Sequence, residues 1–278
     1  LWWLRFRLRR WPQWPSTNPT GSVAWSDSDR WGAEWPALKS QATKSWFRSR
    51  RRCALTASIN WIAKHGAKSG SIIVMNPRTG AILAMASQPG VQLSNVNLND
   101  QKLDALVRNR AVTDLYEPGS TMKTLMTAMA IDKGLVTPES TYNDTGAAQV
   151  GGYTIKNWDF SAHGTTTVRE YLQNSLNTGS VWLAQSIGPK DFYRYIDAFG
   201  LREPTHLGLS GEAEGLMRLP DDPNWYPVDL ATNSYGQGLA VTPIQMLTAV
   251  NVFANGGKLM RPYIVSRVVT GDQARTFQ

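Results

Sequence analysis

One cysteine, Cys53, stands in a chain of 278 residues. That excludes an intrachain disulfide and a thiolate zinc cluster. His65, His163 and His206 are the only histidines. His163 and His206 lack metal-ligand spacing and read as structural, so the sequence predicts neither metal nor cofactor. A Gly-x-Ser-x-Gly elbow is absent, since Gly208-Leu209-Ser210-Gly211 has the wrong spacing. Tyr235-Gly236-Gln237-Gly238 lacks the third glycine and the strand–helix cradle of a dinucleotide loop. No sustained apolar run occurs in residues 1–53, so neither a signal region nor a membrane anchor is legible there. No tandem repeat is visible.

What is present is uneven. The formal net charge is +8, yet residues 1–53 alone hold 11 Lys/Arg against 3 Asp/Glu. Residues 54–278 hold 18 of each sign and are neutral. Eight of the 12 tryptophans also fall in the first 53 residues. That segment shows no helical or strand period. It reads as a basic Trp/Arg-rich stretch that is non-native or disordered, and 54–278 reads as the domain proper. Arg9-Arg10 and Arg50-Arg51-Arg52 could touch phosphate. The neutral body predicts no nucleic-acid partner.

The body mixes short strands and helices. Ser71–Met75 and Ala81–Ala86 are apolar runs around the turn residues Asn76-Pro77-Arg78-Thr79-Gly80, which predicts a hairpin. Residues 88–118 read as loop. Met122, Leu125, Met126 and Met129 recur at helical spacing after Ser120, with Gly134 suited to the helix end. Thr167 and Glu170 have capping-box spacing before Val168, Tyr171 and Leu172. That helix breaks near 174–177, another runs from Thr178 to Gly188-Pro189, and a third covers 190–200 with Phe192, Tyr195, Ile196 and Phe199 on one side. Gly238 to Gly257 is twenty residues without a charge. Its polar Thr242, Gln245, Thr248, Asn251 and Asn255 argue against a membrane span. Thr242 before Pro243 predicts a capped core helix with Ile244, Leu247, Val250 and Phe253 as its apolar stripe.

Two patterns could carry chemistry. Ser120-Thr121-Met122-Lys123 places a serine and a lysine one helical turn apart on one face. A serine nucleophile needs an adjacent base, and a lysine serves when burial brings its pKa down to about 7–8. Taken alone, the pair is also what a capping serine and a solvated lysine would give. Ser175-Leu176-Asn177 is a Ser-x-Asn between two helices, where polar side chains can point into a cleft; an ordinary cap explains it equally well.

Together these pieces resemble a known family. Ser120-Thr121-Met122-Lys123 followed by Ser175-Leu176-Asn177 is similar to the penicillin-recognising serine enzymes. Val74 to Ser87 resembles the first hairpin of penicillin-binding protein transpeptidase domains. Tyr116-Glu117-Pro118-Gly119-Ser120 resembles their nucleophile motif, and Gly236-Gln237-Gly238, Val241-Thr242-Pro243 and Ala254-Asn255-Gly256-Gly257 resemble their late core helix. The ordered match runs from about Ile59 to about Val269, in the style of the monofunctional class B enzymes. The resemblance implies an α+β, β-lactamase/transpeptidase-like fold, an antiparallel sheet packed with a helical subdomain. It implies a peptidoglycan D,D-transpeptidase in which Ser120 attacks, Lys123 is the base, Ser175 relays a proton and Asn177 binds the substrate amide. The implied partners are peptidoglycan stem peptides, β-lactams and a membrane glycan polymerase. The implied location is the cell envelope, at the outer face of the cytoplasmic membrane.

The family's third motif, Lys-[Ser/Thr]-Gly on a strand after the late helix, does not occur before Gln278. Lys68-Ser69-Gly70 lies ahead of the first strand and reads as a turn. The sequence thus predicts a fold incomplete at its C-terminus. A β-lactamase, a penicillin-sensing domain, an inactive fragment and a basic-tail surface binder remain as alternatives.

Overall fold

A computed structural model of the chain describes residues 60, 62, 64–90, 106–270 and 273–276. The basic segment 1–53, with the reading made of it, lies outside the described residues. In chain order the elements are β1 (Gly70–Met75), β2 (Ile82–Gln88), α1 (Arg110–Thr113), α2 (Met122–Asp132), β3 (Thr141–Asp144), β4 (Ala147–Val150), β5 (Tyr153–Lys156) and β6 (Gly164–Thr167). Then follow α3 (Val168–Asn174), α4 (Asn177–Ile187), α5 (Pro189–Ala198), β7 (Leu216–Met217), α6 (Pro227–Asn233), β8 (Leu239–Ala240), α7 (Pro243–Val250), β9 (Arg267–Thr270) and β10 (Gln273–Thr276). Every described strand pair is antiparallel, and the class is α+β. The described residues divide into two compact units, one containing residues 114–204 and 213–259, the other 64–90, 106–113, 205–212, 260–270 and 273–276.

In the second of these, β1 and β2 form the predicted hairpin, in register from Gly70↔Gln88 to Met75↔Ile82. The Asn76 side chain accepts from Arg78 N–H (3.0 Å) and its carbonyl accepts from Gly80 N–H (2.9 Å), which closes the turn. Gly80 has φ +80°, and a Cβ there would sit 2.1 Å from the Arg261 carbonyl oxygen, so only glycine fits. Lys68 lies in a bend and, after Ser69, Gly70 opens β1. The expectation of plain loop over 88–118 fails at α1. Four residues are too few to show a period, and Asn109 starts the helix by accepting from Ala111 N–H (3.2 Å).

The other unit is built on α2. Met122, Leu125, Met126 and Met129 are fully buried, as their spacing predicts. Burial of each such side chain contributes about 1.5–3 kcal/mol. They pack with Tyr171, Leu176, Leu183, Phe192, Ile196 and Val241 in one core. The Thr167–Glu170 capping box is formed, with Glu170 N–H donating to Thr167 Oγ1 at 3.1 Å and Thr167 N–H to Glu170 at 2.9 Å. Val168 and Tyr171 are buried on the face this sets, while Leu172 is exposed.

The uncharged stretch 238–257 holds α7 and a following 3-10 turn at Asn251–Ala254. Among the described residues no helix is long and apolar enough to cross a membrane. Thr242 caps α7 as predicted, but the apolar stripe is different. The buried apolar residues are Ile244, Met246, Ala249 and Val252, while Val250 and Phe253 are exposed. A strict three-residue spacing loses about 60° per step on a helix of 3.6 residues per turn. After two steps, Val250 points about 120° away from the side that Ile244 buries, and Phe253 lies beyond α7 in the 3-10 turn.

Candidate active site

Ser120 lies in a 3-10 turn, Gly119–Thr121, that runs directly into α2. A strap from residues 236–241 holds this turn. Tyr116 and Val241 exchange two backbone hydrogen bonds of 3.0 Å each. Gly119 N–H donates to the Gly236 carbonyl (2.9 Å), and Gly238 N–H donates to the Glu117 carboxylate (2.8 Å). Ser120 itself is exposed, and among the described residues its hydroxyl has no hydrogen-bond partner. The glycines read only as part of the late-helix text therefore form the seat of the nucleophile turn. Nothing local in the sequence signals that contact.

One turn further along α2, Lys123 is buried, with 1% of its surface exposed. Its Nζ donates to the Ser175 carbonyl (2.5 Å), to Ser175 Oγ (3.1 Å) and to Asn177 Oδ1 (2.9 Å). An ammonium has three protons, and three acceptors take them. Burial pushes the Lys123 pKa down from 10.5 to about 8. At neutral pH roughly one amine in ten is then unprotonated.

The acceptors are positioned by the break between α3 and α4. Ser175 ends α3 in the left-handed region, φ 55° and ψ 44°. For a serine this backbone costs about 1–3 kcal/mol, and such residues cluster at functional sites. The turn is anchored by Leu176, which is fully buried. Asn177 opens α4, and its Nδ2 donates to the Lys156 carbonyl at the end of β5 (2.8 Å). Its amide thus bridges a strand and the lysine amine.

Lys123, Ser175 and Asn177 are in direct contact. Ser120 is one turn away and is not bonded to Lys123; hydrogen bonds of this kind commonly tighten only with substrate in place. Among the described residues no group of three His, Cys, Asp or Glu could hold a metal ion. His163 instead pairs with Asp159 (2.9 Å). Sequence reasoning missed the residues behind Asn177, namely Asp144, Asn157 and Thr178. They are polar, and they sit in text that looks like turns. What the cluster can do is clear from its parts: an exposed hydroxyl one turn from a buried amine poised near neutrality is suited to acyl transfer.

Comparison with known proteins bears on the family. Residues 70–278 match the penicillin binding protein transpeptidase domain family. Stage V sporulation protein D of Bacillus subtilis is 37% identical over 195 residues, covering 69% of this chain and 29% of that protein. The probable peptidoglycan D,D-transpeptidase PenA of Neisseria flavescens is 35% identical over 199 residues, covering 72% of this chain and 48% of that protein. The chain thus spans between about a third and a half of these relatives' lengths. The crystal structure of penicillin binding protein 3 from Mycobacterium tuberculosis superposes with a TM-score of 0.75 at 29% identity, covering 82% of this chain and 50% of that one. That protein is also known in complexes with aztreonam and with ampicillin.

Proposed function

The chain belongs to the penicillin binding protein transpeptidase domain family, and on that premise we propose that it carries the acyl-transfer site of a peptidoglycan D,D-transpeptidase. Ser120 Oγ attacks the carbonyl between the two terminal D-alanines of a stem peptide. Lys123, in its neutral form, takes the serine proton. Ser175 passes a proton to the leaving D-alanine, and Asn177 binds the substrate amide. The amine of a neighbouring stem peptide then takes the acyl group from Ser120. A β-lactam carries the same kind of carbonyl in a ring and leaves Ser120 as a stable ester. The work takes place in the cell envelope, at the outer face of the cytoplasmic membrane, beside a glycan polymerase.

The observation that carries this reading is the set of three acceptors around Lys123 Nζ. A neutral amine has two protons and one lone pair, so it can serve only two of them. The Ser175 carbonyl and Asn177 Oδ1 accept only. Ser175 Oγ, at 3.1 Å, can turn its own proton toward the amine. Lys123 can therefore lose a proton without leaving any neighbour unsatisfied, because one bond reverses. The same reversal makes Ser175 the natural relay. The test is release of D-alanine from a D-Ala-D-Ala peptide in the presence of a D-amino acid acceptor. Formation of the exchanged product supports transfer. Rapid turnover of nitrocefin without transfer would point instead to a β-lactamase.

The pKa of Lys123 sets a pH dependence. Protonated Lys123 cannot accept a proton, so acylation by benzylpenicillin should rise with pH to a midpoint near 8. Below that midpoint it should fall about tenfold per pH unit. Stability moves the same way. The unfolded chain holds the lysine proton up to about 10.5 and the folded chain only to about 8, so stability rises with pH between those values. An acylation rate that stays flat from about pH 6 to about pH 9 would rule out Lys123 as the base.

A further inference from the structure

Behind Asn177 lies a carboxylate that the reaction above does not use. Asp144 ends β3 and is 1% exposed. Its Oδ1 accepts from Thr178 Oγ1 (2.8 Å) and Gly146 N–H (2.9 Å). Its Oδ2 accepts from Asn157 Nδ2 (2.8 Å) and His163 N–H (3.2 Å). Asn157 is as deeply buried, and its Oδ1 accepts from the backbone N–H of Thr178 (3.2 Å). Tyr142 OH, 3.2 Å from Thr178 Oγ1, supplies a proton to that hydroxyl, whose own proton goes to Asp144. Among the described residues no cation pairs with Asp144. Isolated buried charge is costly unless every lone pair is used, and here four donors from four segments use them. No neutral side chain of this size can accept four hydrogen bonds.

The clamp has a direct bearing on the site. Asn157 follows Lys156, whose carbonyl holds Asn177; Thr178 follows Asn177 itself. Asp144 and Asn157 therefore fix, one residue on, both the strand that Asn177 donates to and the helix turn that carries it. The far end of the Asn177 amide then meets Lys123 Nζ at 2.9 Å. We infer that Asp144 is a positioning residue for the Lys123–Ser175–Asn177 cluster, holding Asn177 Oδ1 on the lysine amine through Thr178 and Asn157. It touches neither substrate nor nucleophile. The inference rests on the proposed acyl-transfer reading of the same site.

Asp144→Asn keeps the shape and replaces two acceptor sites by two donors, which then face other donors. Thr178→Val removes a single bond of the clamp and is the milder second variant. The experiment is acylation of the full chain by benzylpenicillin across pH, resolved into a non-covalent dissociation constant and a chemical rate. For Asp144→Asn the chemical rate should fall about 10–100-fold, in line with misplacement of a site by roughly 1 Å. The dissociation constant should rise by less than the chemical rate falls, because Asn177, which binds the substrate amide, moves with the clamp. The acidic limb should move to lower pH, because Lys123 loses an acceptor that favours its charged form. Thr178→Val should shift in the same directions by less. A chemical rate and limb at wild-type values, with only the melting temperature lowered, would make Asp144 purely structural. Should Asp144→Asn not fold, a wild-type limb in Thr178→Val overturns the inference by itself. Failure of the wild-type chain to acylate at all would instead remove the acyl-transfer reading, and this inference with it.

Discussion

Lys123→Met leaves Ser120 almost unreactive toward benzylpenicillin. The methionine keeps most of the lysine stem in a position that is 1% exposed, so the apolar packing of α2 survives. What is lost is the amine one helical turn on from Ser120. General-base assistance contributes about 10²–10⁴ in rate, and the acylation rate should fall by that factor. Ser175 O, Ser175 Oγ and Asn177 Oδ1 lose their shared donor at the same time. An unpaired acceptor costs at most about 1–3 kcal/mol, less here because Ser175 and Asn177 are only half-buried, and the loss is partly offset because a charged amine no longer has to be desolvated. Stability therefore falls less than activity. A time course of covalent labelling beside a thermal melt separates the two. A rate within about tenfold of wild type would remove Lys123 from the chemistry.

The second large effect is expected far from the reacting atoms in sequence. Gly236→Ala places a Cβ 2.1 Å from the Gly119 carbonyl oxygen and 2.5 Å from its nitrogen, and Gly236 has φ +83°. The contact is backbone on both sides, so no side chain can swing away. The left-handed backbone costs an alanine about 1–2 kcal/mol, and forced overpacking adds about 1–3 kcal/mol. The sum, about 2–5 kcal/mol, corresponds to a melting temperature lower by about 4–20 °C. Gly119 precedes Ser120, so the nucleophile moves with it, and a shift near 1 Å can cost about 100-fold in acylation. Gly256→Ala is the control. It has φ +76° but nothing within 4 Å of its Cβ, so it should show the backbone cost alone. Equal melts and equal acylation for the two variants would mean that the Gly119–Gly236 contact positions nothing.

Ser120, Lys123, Ser175 and Asn177 stand at recognisable joints, but each pattern alone also fits an ordinary cap, and it was their order along the chain, with its family resemblance, that singled them out. Ser120 opens a helix of regular apolar period, Lys123 is one turn on, and Ser175 and Asn177 fill a break between two capped helices. α2, α3 and α5 follow from their own spacing. The supports of the site were not legible. Lys156 acts through its carbonyl, which every residue has. Asp144 and Thr166 are buried polar residues in strands of four, β3 and β6, where apolar alternation would be the usual signal. Such strands read as turns until a partner across the chain supplies their hydrogen bonds. Gly236 and Gly119 are joined by a close approach that no local pattern encodes. The mistaken stripe on α7 has a simpler cause, since four residues at a constant spacing of three do not stay on one face.

Ser120 is tested most directly by incubating the full chain with benzylpenicillin and measuring intact mass, followed by peptide mapping. The expected result is a single stable adduct on the peptide that carries Ser120, absent from Ser120→Ala. An adduct that persists in Ser120→Ala, or a folded wild-type chain that gains no mass, would contradict the assignment of Ser120 as the acylated nucleophile.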